Sequence, residues 1–187
     1  MNPGLIVLIV VVALVVLLVL WGISIQRKLV GMDEMASNAM SQIGVQQNSR
    51  WDALGALADM VKQYDEHEYN SLKDIIAQRS EIGNTSTAAD VEASEDMITK
   101  AMSKFLAVVE AYPDLKANTN YQTLMTSIKQ YEENVRLARM SYNDVITKFN
   151  RAVRVFPDSI VAGLLKFMPK EYLKTPEEKQ AMPDLKR

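Results

Sequence analysis

Residues Leu5–Leu20, LIVLIVVVALVVLLVL, are sixteen apolar side chains in a row, and no charged side chain precedes Arg27. Extended by Trp21, Gly22 and Ile23, the run matches a hydrocarbon core of about 30 Å at about 1.5 Å per helical residue. Every member except Ala13 is Leu, Ile or Val, so insertion is favourable by about 5 kcal/mol or more on a translocon scale. The residues that define the anchor are Leu5, Ile6, Val7, Leu8, Ile9, Leu14, Leu17 and Leu20, with Trp21 suited to the headgroup boundary. A cleavable secretory leader is the competing reading. It calls for a basic start, a shorter apolar core and a small-x-small cleavage site, whereas Met1-Asn-Pro-Gly4 has no basic side chain and Trp21-Gly-Ile-Ser-Ile25 no convincing Ala-x-Ala. The run therefore predicts a retained single-pass anchor.

Arg27 and Lys28 follow the span directly and set the expected orientation: a short outer N-terminus, with the bulk on the cytoplasmic side. A periplasmic or extracellular body is the alternative.

Composition removes whole classes of chemistry. With no cysteine in the chain, disulfides, iron–sulfur clusters, cysteinyl zinc and thiol nucleophiles are excluded. The single histidine, His67, rules out a His-Glu-x-x-His zinc protease and reads as a solvated helix-start residue. Lys and Arg total 21 against 23 Asp and Glu, without the basic stripe of a nucleic-acid binder. No phosphate-binding glycine loop and no Gly-x-Ser-x-Gly elbow is present. No cofactor and no enzymatic activity is expected. A pilin-like reading fails because the apolar run holds no acidic residue.

Behind the anchor the pattern is helical. Tyr121, Leu124, Ile128, Tyr131, Val135, Ala138, Tyr142, Val145 and Phe149, continuing to Ala152 and Phe156, alternate spacings of three and four, the seam of a long helix that Pro157 stops. Ala138 and Ala152 are narrow points for a close neighbour. Ala36, Met40, Ile43, Leu54, Leu57, Val61 and Tyr64 continue a similar seam out of the membrane, interrupted by Gln47, Arg50 and the helix-weakening Gly44. Two shorter helices lie between, one on Tyr69, Leu72 and Ile76, the other entered at Thr87 with Asp90 three residues on and closed by Pro113. The expected fold is all-α: the N-terminal transmembrane helix, then an antiparallel up-and-down four-helix bundle with long first and last helices. The divisions are residues 1–25 for the anchor, 26–157 for the bundle, and 158–187 for a short helix and loose tail.

Long outer helices and short inner ones predict a bare helix pair near residues 30–47 and 138–156. Met32, Met35, Met40 and Met140 are candidates for a partner surface there, with the C-terminal segment, a second copy or another protein as cover. The segment after Pro157 is apolar and basic. It is expected to fold back over the pair, with anionic lipid as the alternative seat. Antiparallel register brings Arg50 level with Glu132 and Glu133, and an ion pair between Arg50 and Glu133 is predicted.

Ser41-Gln-Ile-Gly-Val-Gln46, Arg50-Trp-Asp-Ala-Leu54, Val61-Lys-Gln-Tyr64, His67-Glu68 and Ala111-Tyr-Pro-Asp-Leu-Lys-Ala-Asn118 occur in this order. Ala138-Arg139, Tyr142-Asn143, Phe149-Asn150, Phe156-Pro157 and Val161-Ala-Gly163 follow. In these blocks the chain resembles the LemA family of bacterial membrane-anchored proteins, from about Gln42 to Tyr172. Gly44 stands where relatives usually carry an acid. The resemblance implies a single span, a four-helix domain and no catalytic residues. It also implies association with membrane proteins, including zinc proteases of the stress response, or with membrane organisation. The block from Tyr112 to Asn118 invites a binding role, but its residue types also suit a turn and a helix cap. The leading expectation is a non-enzymatic adaptor for other membrane proteins; the alternative is a homo-oligomeric scaffold that organises or remodels the bilayer.

Overall fold

The computed structural model describes residues 2–174, and the polar stretch from Thr175 lies outside the described residues. Regular structure among the described residues is all helical: α1 Pro3–Val61, α2 Glu66–Ala77, α3 Ala88–Ala111, α4 Pro113–Ala117, α5 Thr119–Arg154 and α6 Asp158–Leu164. The all-α expectation with one long apolar N-terminal helix holds. α1 runs 59 residues without a break, and its one proline sits in the first turn, where a missing N–H costs nothing. Residues 3–21 of α1 are exposed throughout, and this helix is long and apolar enough to cross a membrane.

Helix starts follow side-chain chemistry. Asp65 caps α2 by accepting from the Glu68 N–H at 2.9 Å. Thr87 and Asp90 form a reciprocal capping box at the start of α3, satisfying two orphan N–H groups at once. The Tyr112–Asn118 block folds into the one-turn helix α4, begun by Pro113. Asn118 then accepts from the Asn120 N–H at 2.8 Å where α5 begins.

Among the described residues the chain divides into two compact units, residues 37–143 with 172–174, and residues 2–36 with 144–171. In the first, Trp51, Leu57, Leu72, Phe105, Leu115 and Ile128 bring together α1, α2, α3, α4 and α5 around one apolar cluster. Phe105 stacks on Tyr121 at 6.0 Å between ring centres. The segment joining α2 to α3 crosses α1 at Gly44, where a β-carbon would overlap the Ile82 carbonyl oxygen. The glycine expected to weaken α1 is thus the place where another backbone approaches.

In the second unit, Ile25 and Leu29 of α1, Ala152 of α5, and Val161 and Ala162 of α6 form a smaller cluster, joined by Met32, Val153 and Phe167. The helix pair is therefore covered here by the C-terminal segment, and Ala152 is the narrow point that admits α6. Lys28 pairs with Asp158 at 2.5 Å, and Lys170 with Asp33 at 2.5 Å. Asn150, buried in α5, grips the backbone of Lys170 both ways: its Nδ2 donates to the carbonyl and its Oδ1 accepts from the N–H, each at 2.8 Å.

Along α5 the buried row shifts by one residue toward its end. Val145 is half-buried while Ile146 is fully enclosed, and Phe156 is exposed. A 3.6-residue helix drifts about 20° per heptad against a strict 3.5 repeat, so the seam cannot hold over five heptads without supercoiling.

Candidate interaction surface

Residues 37–143 carry an open groove of about 450 Å³ between α1 and α5. Its α1 wall is Ser41, Gln42, Val45 and Gln46; its α5 wall is Asn134, Leu137, Ala138 and Ser141. Gln46 and Asn134 close the floor with a hydrogen bond of 3.2 Å. Val45 and Leu137 remain 60% and 50% exposed, and Ser41, Ala138 and Ser141 are short enough to let another helix come near. Met140, one turn beyond Leu137 on α5, is exposed as well. An apolar strip flanked by small side chains suits helix docking more than enclosure of a small molecule.

Among the four methionines named from the sequence, the environments divide. Met140 is exposed on α5, and Met35 is exposed on α1. Met32 packs against the α6 cluster. Met40 is buried, as its place on the α1 seam predicts, which corrects its candidacy for the partner surface. Val45 and Leu137 were not singled out from the sequence. Each lies off its helix's buried seam, and that offset on a side chain of this size was the available signal.

Arg50 also corrects an expectation. Its guanidinium binds Glu95 of α3, with Nη1 at 2.7 and 2.9 Å from the two carboxylate oxygens, whereas Glu133 pairs with Arg136 one turn along α5. The α1 seam faces α3 at this level, so α3 supplies the counter-charge. Gln47, fully buried one turn earlier, donates to the same Glu95 at 3.2 Å. A buried cation with its carboxylate and a buried amide form one polar patch, and removing a single partner would strand a charge. Gln47 Oε1, Arg50 Nε, Trp51 Nε1 and Ser94 Oγ, all buried, take no partner from the described residues.

The Tyr112–Asn118 block does structural work. Tyr112 packs on Tyr64 at 5.6 Å and its hydroxyl donates to Asp65 at 3.2 Å. The Glu68 N–H, followed by the Tyr112 hydroxyl, holds the Asp65 carboxyl below its ordinary value of 3.8, while burial and then the Asp65 charge raise the Tyr112 phenol. Asp90 is lowered by the Thr87 backbone N–H and then the Thr87 hydroxyl. All three shifts are the signatures of caps and packing. His67 is exposed in the first turn of α2.

In comparisons with known proteins, the LemA family model matches residues 39–186. Two relatives, the magnetosome proteins MamQ 2 and MamQ 1 of Paramagnetospirillum magneticum (strain ATCC 700264 / AMB-1), are each 29% identical over 72 residues. Those matches cover 38% of this chain and 26% of each relative.

Proposed function

The chain belongs to the LemA family, and from that premise we propose a non-enzymatic, membrane-anchored helical module that docks helices of other membrane proteins, such as membrane proteases of the stress response. The observation that carries this reading is the groove in which Val45 and Leu137 are exposed beside Ser41, Ala138 and Ser141. Leu5–Leu20 hold the module at a bacterial inner membrane, and Arg27 and Lys28 keep its body cytoplasmic. Residues 37–143 form an antiparallel four-helix bundle of α1, α2, α3 and α5. In its favour, Gln46 meets Asn134 and Arg50 meets Glu95, and Lys104 of α3 pairs with Glu68 of α2 at 3.3 Å.

The second reading, a self-assembling scaffold that organises or remodels the bilayer, uses the same groove with a second copy as the guest. A photo-crosslinker at Leu137 in the full chain, irradiated in native membranes, separates the two. Discrete adducts with other membrane proteins that vanish on Val45→Glu support docking of partners, and a ladder of identical chains supports the scaffold. Adducts of neither kind, from chain that resists carbonate extraction, overturn the groove as an interface.

A further inference from the structure

The segment after Pro157 uses two faces, and only one of them is satisfied by protein. Val161 and Ala162 are buried against Ile25, Leu29 and Ala152. On its other side α6 presents Ile160 and Leu164, one helical turn apart, 51% and 77% exposed. Phe156 before the helix and Met168 after it are each 76% exposed. Four large apolar side chains left in the open beside a short helix are an unusual concentration for a water-facing surface.

Position gives this row a solvent. The cluster with Ile25 and Leu29, together with the Lys28–Asp158 ion pair, fixes α6 beside the first turns of α1 after the apolar run. At about 1.5 Å per residue, Ile25 to Leu29 lie within roughly 10 Å of the end of a span that closes at Ile23. That is the depth of the headgroup layer and of an interfacial helix. Charge agrees with position. Arg27, Lys148, Arg151, Arg154 and Lys166 are exposed in this unit and make no ion pair among the described residues, while Asp158 and Asp33 are matched by Lys28 and Lys170. The other carboxylates of the unit are Glu34, Asp144 and Glu171, so its exposed charge has a cationic surplus, the complement of anionic phospholipid.

We propose that α6 is an interfacial collar: Phe156, Ile160 and Leu164 dip into the bilayer surface beside the span, with the surrounding arginines and lysines on anionic headgroups. The proposal rests on the anchor reading and adds a second, peripheral membrane contact to it. Folding back over α1 and resting on lipid are thus two faces of one segment rather than alternatives.

The chain has no native cysteine, so single cysteines can carry nitroxide labels at chosen sites. Leu164→Cys, Val12→Cys in the span and Leu137→Cys on α5 are reconstituted as full chains into vesicles of mixed phosphatidylglycerol and phosphatidylcholine. Relaxation by oxygen, which concentrates in lipid, is compared with relaxation by a water-soluble nickel chelate. The Leu164 label is expected to favour oxygen over nickel by about threefold more than the Leu137 label, as for a residue at the acyl–headgroup boundary. A lipid signal at Val12 with an aqueous one at Leu164 overturns the collar and leaves the anchor standing. An aqueous signal at Val12 overturns both. Spin–spin broadening at Leu164, with shielding from both reagents, overturns the collar in favour of a second copy on this face.

Discussion

The cluster around Phe105 and the cluster around Ala162 solve the same problem with different means. The first surrounds large side chains, among them Trp51, Leu57, Phe105 and Ile128, and each such burial is worth about 1.5–3 kcal/mol. The second is smaller: Ile25 and Leu29 close on Ala152, Val161 and Ala162, with Met32, Val153 and Phe167 beside them. Polar ties specify its geometry: Lys28 on Asp158, Lys170 on Asp33, and Asn150 on the Lys170 backbone. The contrast teaches that the smaller cluster is tied to the tail through ion pairs and backbone hydrogen bonds, whereas the larger one sets its polar group, Gln47, Arg50 and Glu95, beside interlocking side chains.

Three substitutions press on that contrast. Phe105→Ala should have the largest effect, lowering stability by about 3–5 kcal/mol through lost transfer energy and an unfilled cavity, read from thermal unfolding followed by circular dichroism in detergent. A melting point near that of the unsubstituted chain would mean this core is not what holds the unit. Asn150→Ala should cost about 1–3 kcal/mol, since the substitution leaves a backbone donor and acceptor of the tail unmatched. Hydrogen exchange at the Lys170 amide is the direct readout. If that amide stays protected while Val161→Ala releases it, apolar contact governs both clusters and the contrast collapses. Gly44→Ala should give the smallest change, a net loss of about 1 kcal/mol, because the gain in helix propensity is exceeded by displacement of the Ile82 carbonyl. Its sign is the informative part: a rise in stability would show that the crossing segment yields freely.

Much of this was legible in the sequence because local chemistry decided it. The apolar run marked the first third of α1, the Thr87–Asp90 pair the start of α3, and Pro157 the end of α5. What escaped notice depended on a third helix. The register of α1 against α5 placed Arg50 near Glu133 and left out α3, whose Glu95 takes the guanidinium. Met40 carries the same residue type as Met140, and only the rotation of each helix separates a core side chain from a surface one. Val45 and Leu137 lie off the seams of their helices, and only the packing of α1 beside α5 places them in one groove. Gly44 read as a weakness because nothing local announces that Ile82, thirty-eight residues downstream, will rest there.

The membrane-facing stretch of α1 has one further implication. From Leu5 to Leu20 its surface is bulky aliphatic almost everywhere, with Ala13 the lone small residue. Helices that recognise each other within lipid commonly do so through pairs of small residues four apart or through polar side chains, and this stretch displays neither. It is a greasy cylinder with no address written on it, which under the docking proposed above leaves selectivity to the part of the chain that meets water.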